Sequence, residues 1–207
     1  MDFLELTAAI LGAVSVWLVV KRNIWAFPIG IVMVLLYVVI FFRAKFYADM
    51  ALQVFFVGMQ VQGWWEWQRG DRAHDDRIAV SRLSGAQWRQ TVLLQVLGTA
   101  LIGTLMGRLT DASLPYVDAF TTMLSLLAQW WLNKKYLENW LLWVAADTVY
   151  LYQYAAKGLY LTTALYAVFL VMAIIGYRQW KAVDKGCNSS LSLIVNGIFD
   201  EHGEENR

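Results

Sequence analysis

A chain of 207 residues that is 59% hydrophobic and only 16% charged is too apolar for an ordinary soluble domain, in which about a quarter of the residues carry charge. Its 17 basic residues are nearly balanced by 16 acidic ones, which leaves no surplus to recruit nucleic acid, and its single cysteine, Cys187, excludes an intramolecular disulfide. The composition is that of an all-α integral membrane protein whose first partner is the lipid bilayer.

About 20 apolar residues, at 1.5 Å each, cross a hydrocarbon core roughly 30 Å thick. Seven such segments follow one another: 3–20, 24–42, 47–67, 92–107, 115–133, 140–156 and 159–178. Asp2 and Glu5 at the first, with no positive leading segment or small-residue cleavage site, argue against a signal peptide, so this span is expected to stay. Pro28 and Pro115 fall in the first turns of the second and fifth, where a missing N–H costs little. The third ends in QVQGWWEWQRG at 60–70. The short fourth span holds Gly103 and Gly107, a GxxxG that lets another helix approach closely, either a neighbour in the chain or a second copy. Beyond the seventh, residues 184–207 form a polar tail whose apolar patch, LSLIVNGIF, is too short to span.

With the N-terminus outside, only Arg43, Lys45, Arg108 and Lys157 of the 17 Lys and Arg fall outside. The positive-inside rule therefore predicts N-out, C-in, and makes 69–90 a cytoplasmic loop.

The chain also overlays on itself. A shift of 113 puts Tyr47 on Tyr160, Leu52 on Leu165, Gly63 on Gly176 and Trp67 on Trp180; 115 puts Trp25 on Trp140 and Tyr37 on Tyr152; 114 puts Lys21 on Lys135. The drift is what loop insertions would produce. Three spans repeating after one intervening span predict a parallel, SWEET-like 3+1+3 fold. Its parts are a first unit at 1–68, a loop and linker helix at 69–114, a second unit at 115–183 and the tail. Its substrate site is expected near the midplane, between the halves.

Polar side chains are costly in a bilayer, so their angular position marks the protein-facing side. In the third span Asp49, Gln53, Gln60, Trp64 and Trp67 fall within about 60° of one another. Gln62 lies opposite, toward another helix or headgroups; Trp65 suits the interfacial belt, and Glu66 suits solvent. Asp118, Thr122, Ser125 and Gln129 form a stripe on the fifth span, and Trp143, Asp147, Tyr150 and Tyr154 one on the sixth. Interhelical hydrogen bonding would satisfy any single Ser, Thr or Gln. Asp147, near the middle of its span, favours a shared polar cavity, because an ionised carboxylate at the bilayer centre costs a few kcal/mol. Asp49 and Asp118 stand at outer ends, as interfacial groups or at the cavity mouth.

The two histidines, His74 and His202, lie outside the spans. No metal-binding cluster, P-loop or nucleophile elbow is present, so neither an enzyme nor a cofactor is expected. Residues 159–178 lack the lysine a retinal protein needs. A carrier or channel for something aromatic and polar remains, with a heptahelical ligand sensor as the alternative.

The stretches WAFPIGIVMVLLYVVIFFRAKFYADMALQVFF, GWWEW, LSLLAQWWLNKKYLENWLLWV and GYRQW resemble the PnuC family of bacterial vitamin transporters, over most of residues 10–180. The resemblance implies an inner-membrane carrier, trimeric, that takes up nicotinamide riboside or, in relatives, thiamine or riboflavin. It implies facilitated diffusion, with trapping by cytoplasmic phosphorylation. On that reading Trp64, Trp67, Trp130, Trp143, Tyr150 and Tyr154 supply π faces for an aromatic cation. Gln53, Gln60, Gln129, Asn139 and Asp147, with Thr122 and Ser125 beside them, supply polar contacts, and Trp64 and Trp67 lie nearer the inner gate than the midplane. Asp147 stands where nicotinamide riboside carriers tend to have asparagine, an added negative charge that favours a cation.

Overall fold

Apolar runs punctuated by short polar turns fold into seven helices: α1 (Phe3–Val20), α2 (Ala26–Arg43), α3 (Tyr47–Gly70), α4 (Gly85–Leu109), α5 (Pro115–Asn133), α6 (Asn139–Ala156) and α7 (Tyr160–Glu204). The computed structural model describes residues 3–43, 47–70, 80–110, 114–156, 158 and 160–204; the side chains at 47–49, 70, 161 and 185–204 lie outside that description, and with them Asp49 and Cys187. Among the described residues, α1, α2, α4 and the part of α7 from Thr162 to Asp184 are long and apolar enough to cross a membrane. Helices α3, α5 and α6 are less apolar because they carry the Gln, Asp, Ser and Thr residues of the polar stripes.

The packing order is α1 on α2 on α3, and α5 on α6 on α7; the two groups meet where α1 touches α7 and α3 touches α5. Helix α4 packs along α5. A Cβ at Gly98 would overlap Met123, one at Gly103 would overlap Tyr116, and one at Gly107 would touch Pro115. The GxxxG is therefore a contact within the chain, between α4 and α5.

Contacts 113 residues apart match closely. Helices α2 and α6 begin and end 113 positions apart. Arg22 and Lys135, also 113 apart, both adopt the left-handed conformation, with φ of 57° and 63°, in which a non-glycine residue is uncommon. Asn23 N donates to Leu18 O (2.8 Å) and Tyr136 N to Trp131 O (3.0 Å). Phe27 meets Trp67 edge-on at 4.9 Å as Trp140 meets Trp180 at 5.5 Å. At this offset the position matching Trp140 is Phe27, whereas the sequence overlay at 115 set Trp25, which is 64% exposed, on Trp140.

Two boundaries also differ from expectation. Helix α4 starts at Gly85, where residue 92 was expected, because Ser84 accepts from Gln87 N (3.3 Å) while the Gln87 side chain accepts from Ser84 N (2.8 Å), a capping box. Helix α7 runs on to Glu204 through the segment read as a polar tail; its 45 residues exceed what a bilayer requires. Residues 80–84, expected to be loop, fold onto the α5–α6 turn. Ser81 N donates to Lys135 O (3.0 Å) and Leu137 N to Ser81 O (2.8 Å), Leu83 N donates to Glu138 (2.9 Å), and Arg82 pairs with Asp184 at 2.6 Å.

Candidate functional site

Helix α6 presents Trp143, Asp147, Tyr150 and Tyr154 at spacings of four, three and four, one face of a helix. Asp147 is 4% exposed. It lies within electrostatic reach of Tyr150 and Tyr166, and among the described residues no cation pairs with it. The Tyr150 hydroxyl bonds with Ser125 and Thr121 on α5, whose own hydroxyls donate to backbone carbonyls one turn back. Tyr150 stacks on Tyr154 at 6.1 Å, and Tyr166 of α7 closes the group at 4.9 Å and 5.0 Å from the two. Phe169 meets Tyr166 edge-on at 5.7 Å. Above this cluster, Gln153 donates to Asp118 (2.9 Å), which ties Asp118 to α6.

On the α3 side, Asn133 donates to Met59 O (2.7 Å) and accepts from Gln129 (2.8 Å), a buried relay from α5 to α3. Gln60, half-buried, lies against Gly30 and Ser15, close enough that a Cβ at Gly30 would overlap its amide. Trp143 packs against two buried hydrophobic clusters, an aromatic one around Trp67, Trp140 and Trp180 and a mainly aliphatic one around Leu124, Leu127 and Trp131. Trp143, Asp147, Tyr150, Tyr154, Ser125 and Gln129 thus stand where α5 and α6 face their neighbours, and Gln53 and Gln60 lie half-buried on α3.

Other expected residues fall elsewhere. Trp130 is 41% exposed, with Lys134 over its ring at 5.4 Å; it faces away from its neighbour Gln129. Trp67 is fully buried in the aromatic core and Trp64 packs against that core. Asn139 is buried in the first turn of α6 and donates to Tyr136 O (2.6 Å), far along α6 from Tyr150. Thr122 is half-buried, while Thr121 is the threonine that meets Tyr150. Glu66, expected in solvent, pairs with Lys134 at 2.7 Å, and Gln62 donates to it at 3.1 Å within α3. Trp65 stays exposed under the Arg69 guanidinium, 3.4 Å from its ring.

Thr121, Asn133 and Tyr166 were absent from the sequence reading. Tyr166 carried a signal: with Phe169, Ala173, Gly176 and Trp180 it forms a stripe at alternating spacings of three and four on α7. Outside the spans, the hydrogen bond from Arg82 to Asp184 and the charge of that carboxylate raise the Arg82 pKa. Among the described residues no group of three His, Cys, Asp or Glu is placed to hold a metal. Three phenols and the Asp147 carboxyl group, which has no cation partner among the described residues, instead offer π faces and polar contacts.

The family model described as nicotinamide mononucleotide transporter matches residues 2–182. The chain is 25% identical over 207 residues to the nicotinamide riboside transporter PnuC of Escherichia coli, covering 87% of this chain and 85% of that one. It is 27% identical over 195 residues to PnuC of Neisseria mucosa (89% and 74% covered), and 23% identical over 180 residues to the riboflavin/roseoflavin transporter RibM of Streptomyces davaonensis (85% and 83%). Its fold is similar to the crystal structure of the vitamin B3 transporter PnuC, with a TM-score of 0.75 at 24% identity over 89% of this chain and 83% of that one.

Proposed function

The chain belongs to the nicotinamide mononucleotide transporter family, and on that premise we propose that it carries a flat cationic vitamin precursor, nicotinamide riboside first and thiamine second, into the cell by facilitated diffusion. It is a multi-pass protein of the bacterial inner membrane. The observation that carries the substrate reading is Asp147, a buried carboxyl group with no cation partner among the described residues and within electrostatic reach of Tyr150 and Tyr166. A pyridinium or thiazolium would supply the missing charge and stack on the phenol rings, whereas neutral riboflavin, the substrate class in RibM's name, would stack but supply no charge. Phosphorylation inside the cell then traps the substrate.

The 3+1+3 reading is supported by the 113-residue offset, since exchanging α1, α2, α3 with α5, α6, α7 carries each packing contact named above onto another, α4 apart. An N-out, C-in orientation and a homotrimer complete the proposal. Calorimetric titration of the purified protein with nicotinamide riboside, thiamine and riboflavin tests it. Asp147→Asn should weaken binding of the two cations by about tenfold and leave riboflavin unaffected. If none of the three binds, the vitamin assignment fails; if the variant weakens all three equally, Asp147 is structural.

A further inference from the structure

We propose that Trp67 and Trp180 are the inner gate of this carrier, a reciprocal pair of indole-to-carbonyl latches between the two three-helix units; this rests on the transporter reading. Trp67 Nε1 donates to Leu132 O (3.4 Å) and Trp180 Nε1 to Val19 O (3.3 Å). Donors and acceptors are each 113 residues apart. Trp67, on α3, reaches the end of α5; Trp180, on α7, reaches the end of α1. Any rocking that separates the units at this end breaks both bonds together.

The acceptors are available for a physical reason. The last four carbonyls of a helix have no partner within it, and Leu132 O and Val19 O are among them. Each also accepts from the left-handed residue three positions on, Lys135 N and Arg22 N, both at 2.9 Å. Both indoles are fully buried, their rings 6.1 Å apart. Gly63 and Gly176, each four residues before its tryptophan, let Phe27 and Trp140 close against the helix. Lys21, Arg22, Arg69, Lys134 and Lys135 flank this end, which the positive-inside rule places in the cytoplasm. The Lys134–Glu66 ion pair fastens one side of the seam only: the positions related by 113 are Lys21 and Gln179, which lack the carboxylate.

The test uses Ala173→Cys, buried in the same aromatic cluster, in a Cys187→Ser background. Alkylation by an impermeant maleimide is timed in inside-out and right-side-out vesicles. Trp67→Phe and Trp180→Phe keep a ring and lose the donor. Each should speed inside-out labelling about fivefold, and the double variant by about the product, with right-side-out labelling unchanged. Glu66→Gln, at the surface of the seam, should speed it about twofold and decides the matter if the phenylalanine variants fold poorly. Unchanged inside-out rates, a rise in only one tryptophan variant, or equal rises from both sides would overturn the gate. Failure of every vitamin to bind, with these rates as expected, would instead remove the substrate assignment alone.

Discussion

A hydrogen atom is all that fits at Gly63, where a Cβ would overlap both the Phe27 ring and the Asn133 amide, while nothing stands within 4 Å of a Cβ at Gly58. Gly63→Ala should therefore destabilise the protein by about 1–3 kcal/mol through forced displacement of buried groups, and Gly58→Ala should not. Thermal unfolding in detergent compares the two, and equal melting temperatures would refute the close approach. The same angular logic explains what was legible among the site residues. Consecutive helical residues lie 100° apart, so Gln129 and Trp130 do not share a cavity, and the structure turns Gln129 inward and Trp130 out. Asp147 was legible because a carboxylate at the bilayer centre is expensive wherever it points. Thr121 and Thr122 were not distinguishable, because either hydroxyl suits an apolar helix and only the position of Tyr150 selects between them.

Helix ends were less legible than helix middles. The seven apolar runs anticipated seven helices, yet the start of α4 depends on Ser84 and Gln87, polar residues lying before the apolar run. Ser84→Ala removes the side-chain acceptor of the capping box and should cost about 1 kcal/mol. Hydrogen exchange should show it as faster exchange confined to the first turn of α4, and uniform protection across that turn would contradict the cap. The extension of α7 to Glu204 went unseen because a polar helix beyond the membrane lacks the apolar periodicity that marked the spans.

For the molecule as a whole, the proposed uniport needs no coupling ion, so nicotinamide riboside should move saturably into proteoliposomes at a rate indifferent to collapse of proton and sodium gradients. A gradient-dependent rate would require a coupling site, and binding without net flux would favour the ligand sensor. The sequence by itself determined the membrane class, the seven helices and the family resemblance, because apolar length, charge placement and aromatic motifs are properties of position along the chain. The matching contacts 113 residues apart, the Tyr150–Tyr154–Tyr166 cluster and the two indole-to-carbonyl hydrogen bonds were decided only by tertiary structure. Each joins helices distant in the chain, and composition and spacing do not say which faces will meet.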